Sequence, residues 1–279
     1  MKNEIENYVK IMMEGKGYFI LPQAFSPEEI RGARDLIMKL SNLDKPKVTH
    51  FHGSHEGEVS LQRRVWNLIN KGEVFQRMVQ HPKIVEIASA FLGDEFILGS
   101  IAANRLLPGG PGQEPHIDYP YWDYYNKKSF PFALNPSFPL NMQVTVLLDD
   151  FTEINGATAC LDGSQTWGRY PTKEDEKTFF KTCSRMTGKA GDAVVFFGMM
   201  WHCAMKNNSD KDRTGILIQY LPKFVKPMED QKNIVDKEVI EKANPLLRQL
   251  LGFSYPYPQN LDEAEAKNTE GQYTKKQGN

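Results

Sequence analysis

Three features of the sequence predict a mostly β fold with flanking helices. Apolar and β-branched runs recur at residues 96–107, 141–148, 193–197 and 214–220, bounded by glycine, proline or aspartate. Helical spacing falls outside these runs, before residue 93 and after residue 238. The 279 residues can bury one large core in a sandwich or barrel decorated with helices. One domain over residues 1–262 is expected, followed by a flexible polar tail at 263–279.

In chain order, Gly17-Tyr18-Phe19-Ile20-Leu21 reads as a short strand. Ser26-Pro27-Glu28-Glu29 is a capping box with proline at the first helical position, and Ile30, Ala33, Ile37 and Leu40 continue the helix along one apolar stripe. Residues 44–62 hold His50, His52 and His55 in turn-like composition, which reads as a loop covering a substrate more readily than as a ligand cluster. A strand over Gln62–Leu68 carries Arg63 and Arg64; surface charge accounts for either, although Arg64 is also placed to meet an acidic substrate group. Helices at 74–80 and 83–92, the second stopped by Gly93, precede the long strand of 96–107. Pro108-Gly109-Gly110-Pro111-Gly112 then forces a rigid turn. Further strands follow at 141–148, at 157–161 after an Asn155-Gly156 turn, at 193–197 and at 214–220. Residues 168–186 read as a charged surface excursion, and 239–250 as terminal helices.

The chemistry concentrates in Pro115-His116-Ile117-Asp118-Tyr119. In a strand, residues two apart share a face, so His116 and Asp118 can present an imidazole and a carboxylate to one ion. His202, at the end of the run Ala193–Phe197, can deliver a second imidazole from across a sheet. Two histidines and one carboxylate with open positions opposite form the facial triad of non-haem Fe(II) oxygenases. Arg213 heads the next strand, and a polar turn between the two strands would return its guanidinium to the same cavity, where it can hold a carboxylate bidentately.

Composition narrows the partners. A net charge of −1 gives no broad attraction to nucleic acid or to an anionic membrane. Cys160, Cys183 and Cys203 are odd in number and lack CxxC spacing, as expected of a reducing compartment. The polar, acidic first residues and the lack of any membrane-length apolar stretch point to a cytoplasmic protein with a small-molecule substrate. Oligomeric state is not legible.

Several spaced motifs stand in one order: Asn104-Arg105-Leu106-Leu107-Pro108-Gly109-Gly110, Gln113–Asp118, Asn155-Gly156-Ala157-Thr158, Asp162-Gly163-Ser164-Gln165, Gly191-Asp192, Trp201-His202 and Arg213. Over about residues 10 to 225 the chain resembles phytanoyl-CoA dioxygenase-like proteins. The resemblance implies a double-stranded β-helix, a jelly-roll or cupin-like core. It implies Fe(II) on His116, Asp118 and His202, with 2-oxoglutarate and O₂ as co-substrates and Arg213 on the distal carboxylate. It further implies oxidation of a substrate C–H bond by hydroxylation, desaturation or cyclisation, with release of succinate and CO₂. The carboxylate of Asp118 sets the chain apart from related halogenases, which lack it. In the resembling family, strand amides such as Asn104 and Gln143 contact the co-substrate, and Thr158 stands near the same wall. Two departures are visible. Asp162-Gly163-Ser164-Gln165 replaces the usual Pro-Gly-Ser-His, and Ala204 stands where many relatives place a hydroxyl.

The aromatic stretch from Tyr119 to Phe132 follows the first two ligands directly, so Tyr119, Tyr121 and Trp122, with Trp167, are expected in the substrate wall. Rival readings are a zinc-dependent hydrolase using the same three ligands and a non-enzymatic binding module on the same fold.

Overall fold

The computed structural model describes residues 2–43, 61–118 and 134–254. Helix α1 (Lys2–Met13) leads into strand β1 (Tyr18–Leu21) and α2 (Pro27–Leu43); β2 (Gln62–Val65), α3 (Glu73–Met78), α4 (Pro82–Leu92) and the long β3 (Phe96–Leu106) follow. The second half holds β4 (Met142–Leu147), β5 (Ala159–Cys160), α5 (Glu176–Thr182), β6 (Ser184–Arg185), β7 (Ala193–Phe197), β8 (His202–Cys203) and β9 (Arg213–Pro222). Three short helices close the described chain: α6 (Gln231–Ile234), α7 (Lys237–Lys242) and α8 (Pro245–Leu250).

The strands form two sheets, a six-stranded one in the order β1-β7-β4-β9-β3-β2 and a three-stranded one in the order β6-β5-β8. Neighbours pair antiparallel throughout. This is the jelly-roll core, with helices on the outer face of the large sheet.

Strand alternation divides the large sheet into two chemistries. Ile101 and Ala103, Met142 and Val144, Val195 and Phe197, and Ile216, Ile218 and Tyr220 join Ile84, Ile87 and Phe91 of α4 in the main apolar core. The opposite face carries Ser100, Ala102 and Asn104 on β3, Gln143 and Thr145 on β4, and Gly215, Leu217 and Gln219 on β9, all lining one cavity. The parity of β3 is reset at Gly99, where the register with β9 slips between Leu98 and Ser100. That bulge is pinned from outside: the Gly99 carbonyl accepts the Met228 and Glu229 amides, and the Glu229 carboxylate accepts the amides of Ile101 (2.8 Å) and Asn67 (2.7 Å).

The capping box forms as expected. The Ser26 amide donates to the Glu29 carboxylate (3.0 Å) and the Glu29 amide to the Ser26 hydroxyl (3.3 Å). One element was not anticipated, and two expectations need correction. Residues 2–13 form a helix that the polar sequence did not announce; tertiary contact supplies what propensity lacks, since Ile5 and Met12 are buried in the core. The segment around His116 is a single bridge to His202, with no strand through Asp118, because Pro115 and the preceding glycines limit its ladder bonds. Residues 168–186 are no mere surface excursion: Phe179 on α5 is fully buried and β6 completes the small sheet.

Candidate active site

His116 and His202 meet as a reciprocal backbone pair, each amide donating to the other's carbonyl at 3.0 Å. Residues directly opposed in an antiparallel pair project to one face, so both rings enter the cavity together. Asp118 is fixed separately, its amide donating to the Gly198 carbonyl at 2.8 Å. The imidazole centroids lie 4.6 Å apart, His202 Nε2 is 3.3 Å from one Asp118 carboxylate oxygen, and His116 Nε2 is 3.8 Å from the other. One atom from each of the three side chains falls within 4.8 Å of the others.

The tautomers follow from the backbone. His116 Nδ1 lies 2.8 Å from the Glu114 carbonyl and His202 Nδ1 lies 2.8 Å from the Met200 carbonyl. A carbonyl only accepts, so each Nδ1 carries a hydrogen, which leaves Nε2 as the nitrogen of each ring that faces Asp118. In both cases the carbonyl belongs to the residue two positions earlier.

Burial and mutual charge set the protonation of the three groups. Burial, then the neighbouring His202 and also Arg64, push His116 down to about 4 despite Asp118. Burial also disfavours charge on His202, but the Asp118 carboxylate and its hydrogen bond outweigh it and raise that ring. For Asp118 burial would raise the carboxyl; the two imidazoles and Arg64 prevail and hold it below the ordinary range.

The supports of His202 lie in the segment that departs from the family pattern. Ser164 Oγ accepts the Trp201 amide at 2.8 Å and donates to the Leu161 carbonyl. Gln165 turns away from the cavity and donates to the Gly15 carbonyl at 2.9 Å. Phe196 packs edge-on against the His202 ring, centroids 5.0 Å apart.

Arg213 reaches the same cavity from β9, only 4% exposed. Its Nη1 donates to the Gly156 carbonyl, and the guanidinium lies 4.9 Å over the Phe151 ring. Burial lowers it to about 10, so it stays cationic near neutral pH. Its Nε is buried without a hydrogen-bond partner, as is Asn104 Oδ1. A buried guanidinium Nε without a partner fits a carboxylate acceptor, since unmatched buried donors are costly. The three donors suit a first-row divalent metal, and Arg213 suits an acid beside it.

The cavity encloses about 850 Å³ including its part open to solvent. His116, Asp118, His202, Arg213, Arg64, Asn104, Gln143 and Thr158 all line it. Trp167 does not. Alternation turns His202 inward and its neighbour Trp201 outward, and Trp167, 47% exposed, packs edge-on against Trp201 beneath the Arg169 guanidinium. Tyr119, Tyr121 and Trp122 lie outside the described residues, as do His50, His52 and His55 and the polar tail. Trp66, Ser100 and Met228 line the cavity without having been singled out. Trp66 was readable as two residues from Arg64 on one strand; Met228 sits on a loop whose approach no local pattern encodes.

The phytanoyl-CoA dioxygenase (PhyH) family model matches residues 13–215. A dioxygenase of Talaromyces verruculosus, cdmD, is 28% identical over 209 residues, covering 73% of this chain and 66% of that protein, slightly under two thirds of its length. L-Proline trans-4-hydroxylase of Streptomyces griseoviridis is 25% identical over 239 residues, covering 76% of this chain and 84% of its own. Among solved structures, HygX of Streptomyces hygroscopicus with nickel and 2-oxoglutarate bound superposes with a TM-score of 0.61 at 14% identity, over 79% of this chain and 88% of that one. The chain belongs to the phytanoyl-CoA dioxygenase family.

Proposed function

We propose that this chain oxidises an unactivated C–H bond of a small-molecule metabolite, with His116, Asp118 and His202 holding the iron and Arg213 the distal carboxylate of 2-oxoglutarate. The observation that carries the reading is the convergence of two Nε2 lone pairs and one carboxylate, within 4.8 Å, in a cavity that also ends on a buried guanidinium. When bound, iron and 2-oxoglutarate together activate O₂ and release succinate and CO₂.

The protein's own part is to position and to exclude. The Glu114 and Met200 carbonyls hold the two rings in the ligating tautomer. Asp118 takes the third protein position and favours hydroxylation, desaturation or cyclisation over halogenation. Arg213 fixes the length of the co-substrate it accepts, with Asn104, Gln143 and Thr158 on the surrounding wall. Phe196, Phe151 and Leu217 give that wall an apolar lining that limits water. Residues 1–262 serve as one catalytic domain in this reading.

A zinc hydrolase would leave Arg213 without a task, and a pure binding module would not need both rings locked in one tautomer. A small-molecule partner and a cytoplasmic setting fit the net charge of −1 and the three free cysteines; among the described residues no helix is long and apolar enough to cross a membrane. The test is an anaerobic titration. A visible charge-transfer band should develop only when Fe(II) and 2-oxoglutarate are both present, and its absence in the wild-type protein would sink the proposal.

A further inference from the structure

We propose that Arg64 forms a second anion site in the cavity, separate from Arg213, and that the substrate carries a carboxylate which this site grips. The inference deepens the oxygenase reading and rests on it.

Alternation on β2 sends its two arginines apart. Arg63 turns to the helix side, where it donates to the Asn42 side chain at 2.8 Å, while Arg64 lines the cavity. The register places Arg64 beside Asn104 and Asn104 beside Gly215, so Arg64 stands two strands from β9, one inward position away from the level of Arg213. Strand spacing and rise put their backbones about 12 Å apart, and the Arg64 charge is felt at Arg213, so two anions in the cavity suit the pair better than one. Arg213 stands mid-sheet, whereas β2 is the outermost strand of the six. Trp66, two residues on from Arg64, and Met228 also line the cavity and offer apolar surface for the body of a substrate.

Charge points the same way. Among the described residues, the cavity wall contributes two guanidiniums, one carboxylate in Asp118, and two imidazoles that bind metal as neutral groups. A divalent metal and the dianion 2-oxoglutarate cancel, which leaves one excess positive charge in a cavity open to solvent on one side. Excess charge at low dielectric favours an anionic ligand over a neutral one. Burial brings Arg64 down to about 10, so it remains cationic at neutral pH, and Asp118 is the carboxylate whose field it feels.

The test uses the full chain loaded with Fe(II) and saturating 2-oxoglutarate, kept anaerobic, and titrated calorimetrically with benzoate and with benzamide as an anionic and a neutral probe of one shape. Wild type should bind benzoate at least about tenfold more tightly than benzamide. Arg64→Met should reduce that preference to about twofold or less, and Arg64→Lys should restore part of it because the charge returns without the planar fork. Both variants should keep wild-type affinity for Fe(II) and 2-oxoglutarate, a readout that also certifies their fold. Equal binding of the two probes by wild type, or a preference that survives in Arg64→Met, would overturn the proposal. So would loss of 2-oxoglutarate binding in Arg64→Met, which would assign Arg64 to the co-substrate. A wild-type protein unable to bind Fe(II) and 2-oxoglutarate together would instead show that the oxygenase reading itself had failed.

Discussion

Replacing Arg213 by Gln tests the proposed acid clamp apart from the proposed metal site. The guanidinium is 4% exposed, one nitrogen is committed to the Gly156 carbonyl, and Nε is buried without a partner. A carboxylate bound there would exchange charge-assisted hydrogen bonds in a poorly screened environment. Removing one member of such a buried pair costs about 2–5 kcal/mol, equivalent to a roughly 30- to 5,000-fold weaker dissociation constant. Glutamine keeps one donor but neither the charge nor the fork, so the loss should fall inside that range; Arg213→Lys should recover part of it. The assay is anaerobic calorimetry of 2-oxoglutarate on Fe(II)-loaded protein, with Fe(II) affinity measured separately in its absence. Fe(II) affinity should stay near wild type, because no triad atom bonds to Arg213 among the described residues. A change in 2-oxoglutarate affinity below about threefold, or a parallel loss of iron, would refute the reasoning.

Four further outcomes follow from the same geometry. His202→Ala should abolish the Fe(II)-dependent absorption band and succinate release while the chain still unfolds cooperatively, as judged by circular dichroism. Ser164→Ala leaves the Trp201 amide without its acceptor and should cost about 1–3 kcal/mol in denaturant unfolding, with weakened iron binding through the displaced β8. Gly156→Ala should be poorly tolerated, since φ is +83° and a methyl group would collide with the Met205 carbonyl; the shift of the Gly156 carbonyl should raise KM for 2-oxoglutarate more than it lowers kcat. Glu229 is held high mainly by burial, against the pull of its two amide donors, so its contribution to stability is present at low pH and lost as pH rises through that raised value. Unfolding free energies of wild type and Glu229→Gln measured across the carboxylate range should differ in slope accordingly, with the variant flatter.

Local pattern carried much of the architecture. β1, β3, β4, β7 and β9 fall where β-branched and aromatic runs were bounded by turn residues, and the Ser26–Glu29 box starts α2 as read. Helix α1 escaped because its polar residues carry little propensity signal and its stability comes from Ile5 and Met12 meeting the core. Trp167 was placed by nearness in sequence to the motif region; the parity of Trp201 and His202 sends it outside instead. Arg64 was singled out over its neighbour Arg63 in the sequence, and the two faces of β2 separate them, Arg64 into the cavity and Arg63 toward Asn42.

Residue types and their order, read alone, singled out two histidines, an aspartate and an arginine as the candidate chemistry-bearing groups, because few other side chains ligate iron or clamp a carboxylate. What only the tertiary structure decided was convergence. The His116 and His202 backbone pair, the carbonyls that set each tautomer, and the cavity shared by Arg64 and Arg213 all come from strand pairings between distant segments. Such pairings depend on sheet register and on the bulge at Gly99, which are properties of the whole packed sheet and of no single stretch.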